Sequence, residues 1–223
     1  MPAEEPLVLP LGHAMGPFHQ RRGEPPAYWV VRLGWDSPLL TEPATAELWA
    51  LAHGLPDQAG RTPWTRRELC RAAAEAGVED PDTALDALVD RGLVAEVAPG
   101  TPEAADFAAT HRVQSLLLGL GELPDRRGLD GIGLLGMPPL ARVPLGTYEF
   151  WQWGHLWPTL TEAAAGLAEM AAQSPEHAPE EADPAQVLDR VLRELHVLLS
   201  VRAVYLDRSL AIADAERTAP PAC

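Results

Sequence analysis

The chain has no asparagine and only two cysteines, Cys70 and Cys223. One lies inside a helical pattern and the other is the last residue of a Pro-rich tail, so a disulfide framework is excluded in favour of one buried and one loose thiol. Basic residues are scarce, 17 against 32 acidic, for a formal net charge of −15. A field of that sign repels phosphate backbones and anionic lipid and favours basic partners, although it leaves room for a local basic patch. No stretch reaches the roughly 18 apolar residues of a membrane span. The start, MPAEEPLVLP, lacks the basic and apolar regions of a secretory signal. These absences predict a cytoplasmic chain with no membrane segment. The missing asparagine, with the richness in Ala, Arg, Pro and Gly, reflects a high-GC coding genome and says nothing of function.

What is present is a large apolar fraction, 47% over 223 residues, enough for one large domain or two small ones. Leu7 to Leu11 is a short apolar run ended by Gly12. Residues 16 to 27 carry the Gly and Pro of a loop. YWVVRLGW (28–35) is aromatic and β-branched and reads as a strand, and Leu39-Leu40 as a further short one. Thr41 is a cap candidate, with Glu42 and Pro43 in the first turn of a helix that Gly54 ends. A second helix starts at Thr65, where T-R-R-E has the spacing of a capping box with Glu68, and stops at Gly77. Asp80-Pro81 opens a third, with Leu85, Leu88 and Val89 on one face. Leu93 to Val97 reads as a strand, and residues 98 to 112 as a linker with a helical turn at most.

The two halves resemble each other. Thr45, Glu47, Trp49 and His53 meet Thr147, Glu149, Trp151 and His155 at an offset of 102, and Leu33-Gly34 meets Leu135-Gly136. Further on, Thr65 and Glu68 meet Thr159 and Glu162, and Asp80-Pro81 meets Asp183-Pro184. Upstream, LPLG (9–12) resembles LLLG (116–119). The expected architecture is α+β, with two tandem winged-helix-like units, each of short strands followed by three helices. The first unit spans 1–97, a linker 98–114, the second unit 115–206 and a flexible tail 207–223.

Through WDSPLLTEPATAELWALAHG, TRRELCRAAAEAG and PDTALDALVDRGLVAEV, residues 28–97 resemble the PqqD-like winged-helix unit, the RiPP recognition element. The resemblance implies that a precursor peptide adds as a strand beside the third strand and against the third helix. The groove would then involve Leu39, Leu40 and Thr41 with Thr83, Ala87 and Asp90. The long Pro-rich loop after the first helix and the fused second half depart from that pattern.

Other chemistry is weaker. Gly131 to Gly136 matches GxGxxG, but Met-Pro-Pro follows where a dinucleotide site needs a helix N-terminus. His53 and His155 stand four residues after a Trp. With neither HxxxH nor CxxC present, each is expected to cap its helix end against that Trp and to bind no metal. GxSxG is absent and no nucleophile stands out. Trp151, Trp153 and Trp157 are expected mostly in the core. As a DNA reader, the first unit's third helix exposes Asp82, Asp86 and Asp90. In the second unit Gln186, Arg190 and Arg193, with His196, offer an alternative DNA-contact surface, interrupted by Asp189 and Glu194. The sequence thus predicts a non-enzymatic peptide- or protein-binding adaptor without cofactor or metal, with a winged-helix transcriptional regulator as the alternative.

Overall fold

Leu7–Pro10 forms strand β1, buried at all four positions, and pairs antiparallel with β5 (Val94–Val97), so the ends of the first half close on each other. Between them lies an antiparallel sheet of β2 (His13–Phe18), β3 (Tyr28–Arg32) and β4 (Leu39–Leu40), in the order β2-β3-β4. Helices α1 (Pro43–Leu51), α2 (Arg66–Glu75) and α3 (Pro81–Asp90) follow. The coordinates are a computed structural model that describes residues 5–124, 126–173 and 178–218.

The same order recurs after α4 (Pro102–Thr110). Strand β6 (His111–Ser115) pairs antiparallel with β10 (Val204–Arg208), and β7 (Leu118–Leu123), β8 (Arg126–Gly133) and β9 (Ala141–Val143) make a second three-stranded sheet. Helices α5 (Leu145–Trp153), α6 (Leu160–Ala172) and α7 (Pro184–Leu199) stand between β9 and β10. Each half places one indole identically. Trp49 Nε1 donates to the carbonyls of Leu11 (3.3 Å) and Leu93 (3.1 Å), and Trp151 Nε1 to those of Leu116 (3.0 Å) and Ala203 (3.1 Å). That contact sets Leu11 against Leu116, two residues away from the register in which LPLG was matched to LLLG.

One apolar core runs through both halves, from Leu9 and Leu48 to Phe150 and Leu195. The halves also meet through backbone: Gly12 N–H donates to Leu206 O at 2.7 Å beside a parallel bridge between Leu11 and Leu206. Asp207, 1% exposed, accepts from Gly34 N–H at 2.6 Å and pairs with Arg32 at 3.4 Å and Arg112 at 4.0 Å.

Several local expectations change. Residues 98–114 are no linker: Thr101 caps α4 by accepting from Ala104 N–H, and Ala104, Phe107 and Ala108 join the core at helical spacing. Residues 207–218 are no tail: they complete β10 and form α8 (Leu210–Thr218), which lies on the β3–β4 turn, where Asp214 accepts from the Trp35 indole at 3.1 Å. Only residues 219–223 of the expected tail, Cys223 among them, fall outside the described residues. The loop expected over 16–27 begins late, because β2 continues through Gly16-Pro17 to Phe18 with a bulge.

The caps also differ. With Pro43 opening α1, the N-cap is Glu42 and not Thr41. Thr65 begins α2 without capping it, since its hydroxyl is buried with no hydrogen-bond partner among the described residues. Asp80 takes a left-handed conformation (φ +45°) that carries its carboxylate off the helix end. In the second half, Thr159 and Asp183 do cap, accepting from Glu162 N–H and Ala185 N–H. Among the described residues, no helix is long and apolar enough to cross a membrane.

Candidate peptide-binding edge

β4 lies at the edge of its sheet, bonded only to β3. Alternation along the strand splits its two residues: Leu40 is fully buried, while Leu39 is 43% exposed. Thr41 is exposed directly after it. On α3, Leu85 and Leu88 face the core, which leaves Thr83, Ala87 and Asp90 exposed at the i, i+4, i+7 spacing of one stripe. The direct link between strand and helix is Arg91, the C-cap residue just after α3, whose Nη2 donates to Leu39 O at 2.7 Å. The structure therefore brings the edge and the end of the helix together and buries one of the six expected contacts, Leu40, in the core.

The electrostatics of the face are set by Arg66. Its guanidinium pairs with Asp86 (2.8 Å), Asp82 (3.6 Å) and Glu96 (2.8 Å), so two of the three α3 carboxylates are neutralised. Asp90, next to Arg91, has no ion-pair partner among the described residues. The nearby Cys70 thiol is pushed up to about 11, first by burial and then by Asp82. It is protonated at neutral pH and unsuited to nucleophilic attack.

The alternative DNA surface is differently occupied. Gln186 Nε2 donates to Asp183 at 3.0 Å, Arg190 pairs with Glu181 at 3.5 Å, and Arg193 binds Asp189 in bidentate fashion at 2.9 and 3.2 Å. Further along, α7 turns inward. His196, 4% exposed, donates from Nε2 to Val8 O at 2.9 Å, so the C-terminal part of the helix is packed into the first half.

The histidines diverge between halves. His53 is buried, stacks edge-on against Trp49 and donates from Nδ1 toward the carbonyls of Trp49 and Ala50. His155 is exposed and meets the Ser115 hydroxyl at 3.4 Å. Among the described residues, no group of three or more His, Cys, Asp or Glu is placed to hold a metal. The GxGxxG segment ends β8 and enters a turn, and the next helix opens only at Leu145. Of the three tryptophans, Trp151 is core, Trp157 is half-buried against Gly166, and Trp153 is 37% exposed.

No family model, curated protein or solved structure matches the chain.

Two surfaces escaped the sequence reading. The β8–β9 turn exposes Leu134, Leu135, Met137 and Leu140, and the signal for it was an apolar run, LLGMPPL, where turn residues are normally polar. The second is a pocket between α1 and the β2-β3-β4 sheet, with Arg202 in its lining. Its residues come from both halves, so no linear motif announces it.

Proposed function

We propose that the protein is a non-enzymatic adaptor that binds an extended, basic peptide segment of a partner along β4 and α3. The observation that carries this reading is the edge at Leu39, a half-exposed apolar side chain on a strand with no strand on its outer side, where Arg91 holds the Leu39 carbonyl, beside the exposed stripe of Thr83, Ala87 and Asp90. A strand laid on that edge would gain main-chain hydrogen bonds there and pack its alternate side chains on α3. The free carboxylate of Asp90 and the net charge of −15 favour lysine or arginine in that segment. The absence of cofactor, metal and catalytic residues belongs to the same proposal. So does a cytoplasmic setting, which rests on the sparse cysteines.

Fluorescence anisotropy with labelled eight-residue peptides that alternate apolar and basic residues tests the reading. Binding should be saturable, weaken with salt and be lost in Ala87→Arg, which places bulk and positive charge on the stripe. Equal binding by Ala87→Arg, or by acidic peptides, would refute it.

A further inference from the structure

The pocket between α1 and the first sheet encloses about 330 Å³, lined by apolar groups that include Trp29, Val31, Leu40 and Trp49. Its charged groups are Glu47 and Arg202. Arg202 comes from the turn between α7 and β10, where its backbone is left-handed at φ +57°. The matching turn between α3 and β5 has Gly92 at φ +63°. The two turns share their hydrogen bonds. Gly92 N–H donates to Val89 O and Leu93 N–H to Leu88 O, while Arg202 N–H donates to Leu199 O and Ala203 N–H to Leu198 O, all at 2.8 to 3.0 Å. Glycine fits such a helix-ending turn without strain, and a residue with a Cβ does not. The second half therefore keeps an arginine where its own backbone favours glycine.

What the side chain does there is only partly structural. Its guanidinium lies 5.8 Å from the Trp49 ring centre and donates from Nη2 to Ala50 O at 3.4 Å, near the end of α1. Among the described residues it has no carboxylate partner, although Glu47 borders the same pocket. Burial pulls its pKa down to about 10. The nearby His13 has its pKa lowered first by burial and then by Arg32, with Asp207 opposing and Arg202 adding a smaller push in the same direction as Arg32. The hollow is apolar-walled, and Arg202 is the cation that lines it, with Glu47 as its one lining carboxylate.

We propose that this pocket binds a monocarboxylate with a compact apolar tail, the carboxylate on Arg202 and the tail against Trp29, Leu40 and Trp49. An arginine presents a planar fork to a carboxylate, and the partly desolvated guanidinium gains the ion pair it otherwise lacks. The same chemistry is offered by a free short-chain acid and by the C-terminus of a peptide ending in an apolar residue. The site is independent of the β4–α3 edge, apart from Leu40, whose strand borders both.

Calorimetric titration of the full chain with 4-methylpentanoate, its amide 4-methylpentanamide, and a peptide ending in leucine with a free or amidated terminus tests the proposal. At least one carboxylate should bind at least about tenfold more tightly than its amide, as expected for a charge-assisted pair. Tighter binding of the free acid or of the peptide identifies the source. Arg202→Gly should abolish binding while leaving the thermal midpoint unchanged or raised, because it relieves the left-handed strain. Ala14→Trp, at the pocket mouth, should block binding without touching Arg202. The proposal is overturned if no carboxylate binds, if acid and amide bind alike, or if both Arg202→Gly and Ala14→Trp retain binding. It is equally overturned if Arg202→Gly lowers the midpoint and no ligand is found, since the arginine then serves only the fold.

Discussion

The imidazole of His196 and the carbonyl of Val8 meet across the two halves at 2.9 Å, far inside the core, and that contact requires a proton on Nε2, while burial keeps the ring neutral. Burial pulls the His196 pKa from 6.5 to about 4, and His53 is lowered in the same direction by burial and by Arg202.

Acid should therefore loosen the join. A histidine with a depressed folded pKa contributes its full stability above pH 6.5. As pH falls the unfolded chain takes up the proton first, and the contribution is lost by about pH 4. For His196 the loss is about 3 kcal/mol. Urea unfolding across this window should show a falling midpoint, and His196→Gln, which keeps an N–H for Val8, should flatten the slope. An unchanged slope in that variant would place the acid sensitivity elsewhere.

Trp49→Phe and Trp151→Phe should each cost about 1–3 kcal/mol, because each strips the indole N–H from two carbonyls in the core. Since one core joins the halves, both variants should still unfold in a single transition by circular dichroism and by fluorescence. Two separated transitions would show that the halves are energetically independent.

Asp207→Ala should be costlier. The carboxylate is buried and serves Gly34 N–H, Arg32 and Arg112 together. Its loss strands Arg112 and should cost about 3 kcal/mol, the lower end for a broken buried pair because Arg32 is a third exposed. Chemical denaturation measures this directly, and a change below about 1 kcal/mol would mean that water replaces the carboxylate.

Apart from β2, the strands and helices of the first half could be read from sequence because their signals are local. β-branched runs, Pro at a first helical turn and Gly at helix ends each act within a few residues. Residues 98–114 were misread because Gly, Pro and Ala dominate there, and 207–218 because a Pro-rich end follows them. What orders them is tertiary, Phe107 in the core and α8 against Trp35. The short strand at Leu39-Leu40 was legible as a local pattern, whereas its use as a binding edge came only from the resemblance to the PqqD-like unit. Arg202 was not, because its meaning depends on a left-handed turn and on Trp49, 153 residues earlier in the chain. The repeat gave the Trp-His pair but could not show that His53 would be buried and His155 exposed, which depends on residues far along the chain, Arg202 and His196 beside His53 among them.

At the edge itself, Arg91 competes with any added strand for the Leu39 carbonyl and also repels a basic peptide. Arg91→Ala should therefore bind the alternating peptides about three- to tenfold more tightly, within the range of one charge-assisted hydrogen bond. Weaker binding by this variant would make Arg91 a contact for the peptide and not a competitor.

The most direct test of the binding account is backbone amide hydrogen exchange with and without a saturating basic peptide. The account predicts slowed exchange at Leu39 to Thr41, with changes along Thr83 to Asp90, while the β7–β9 sheet and the exposed face of α7 stay as they were. Protection confined to α7, or to the turn at Leu134 to Leu140, would contradict it.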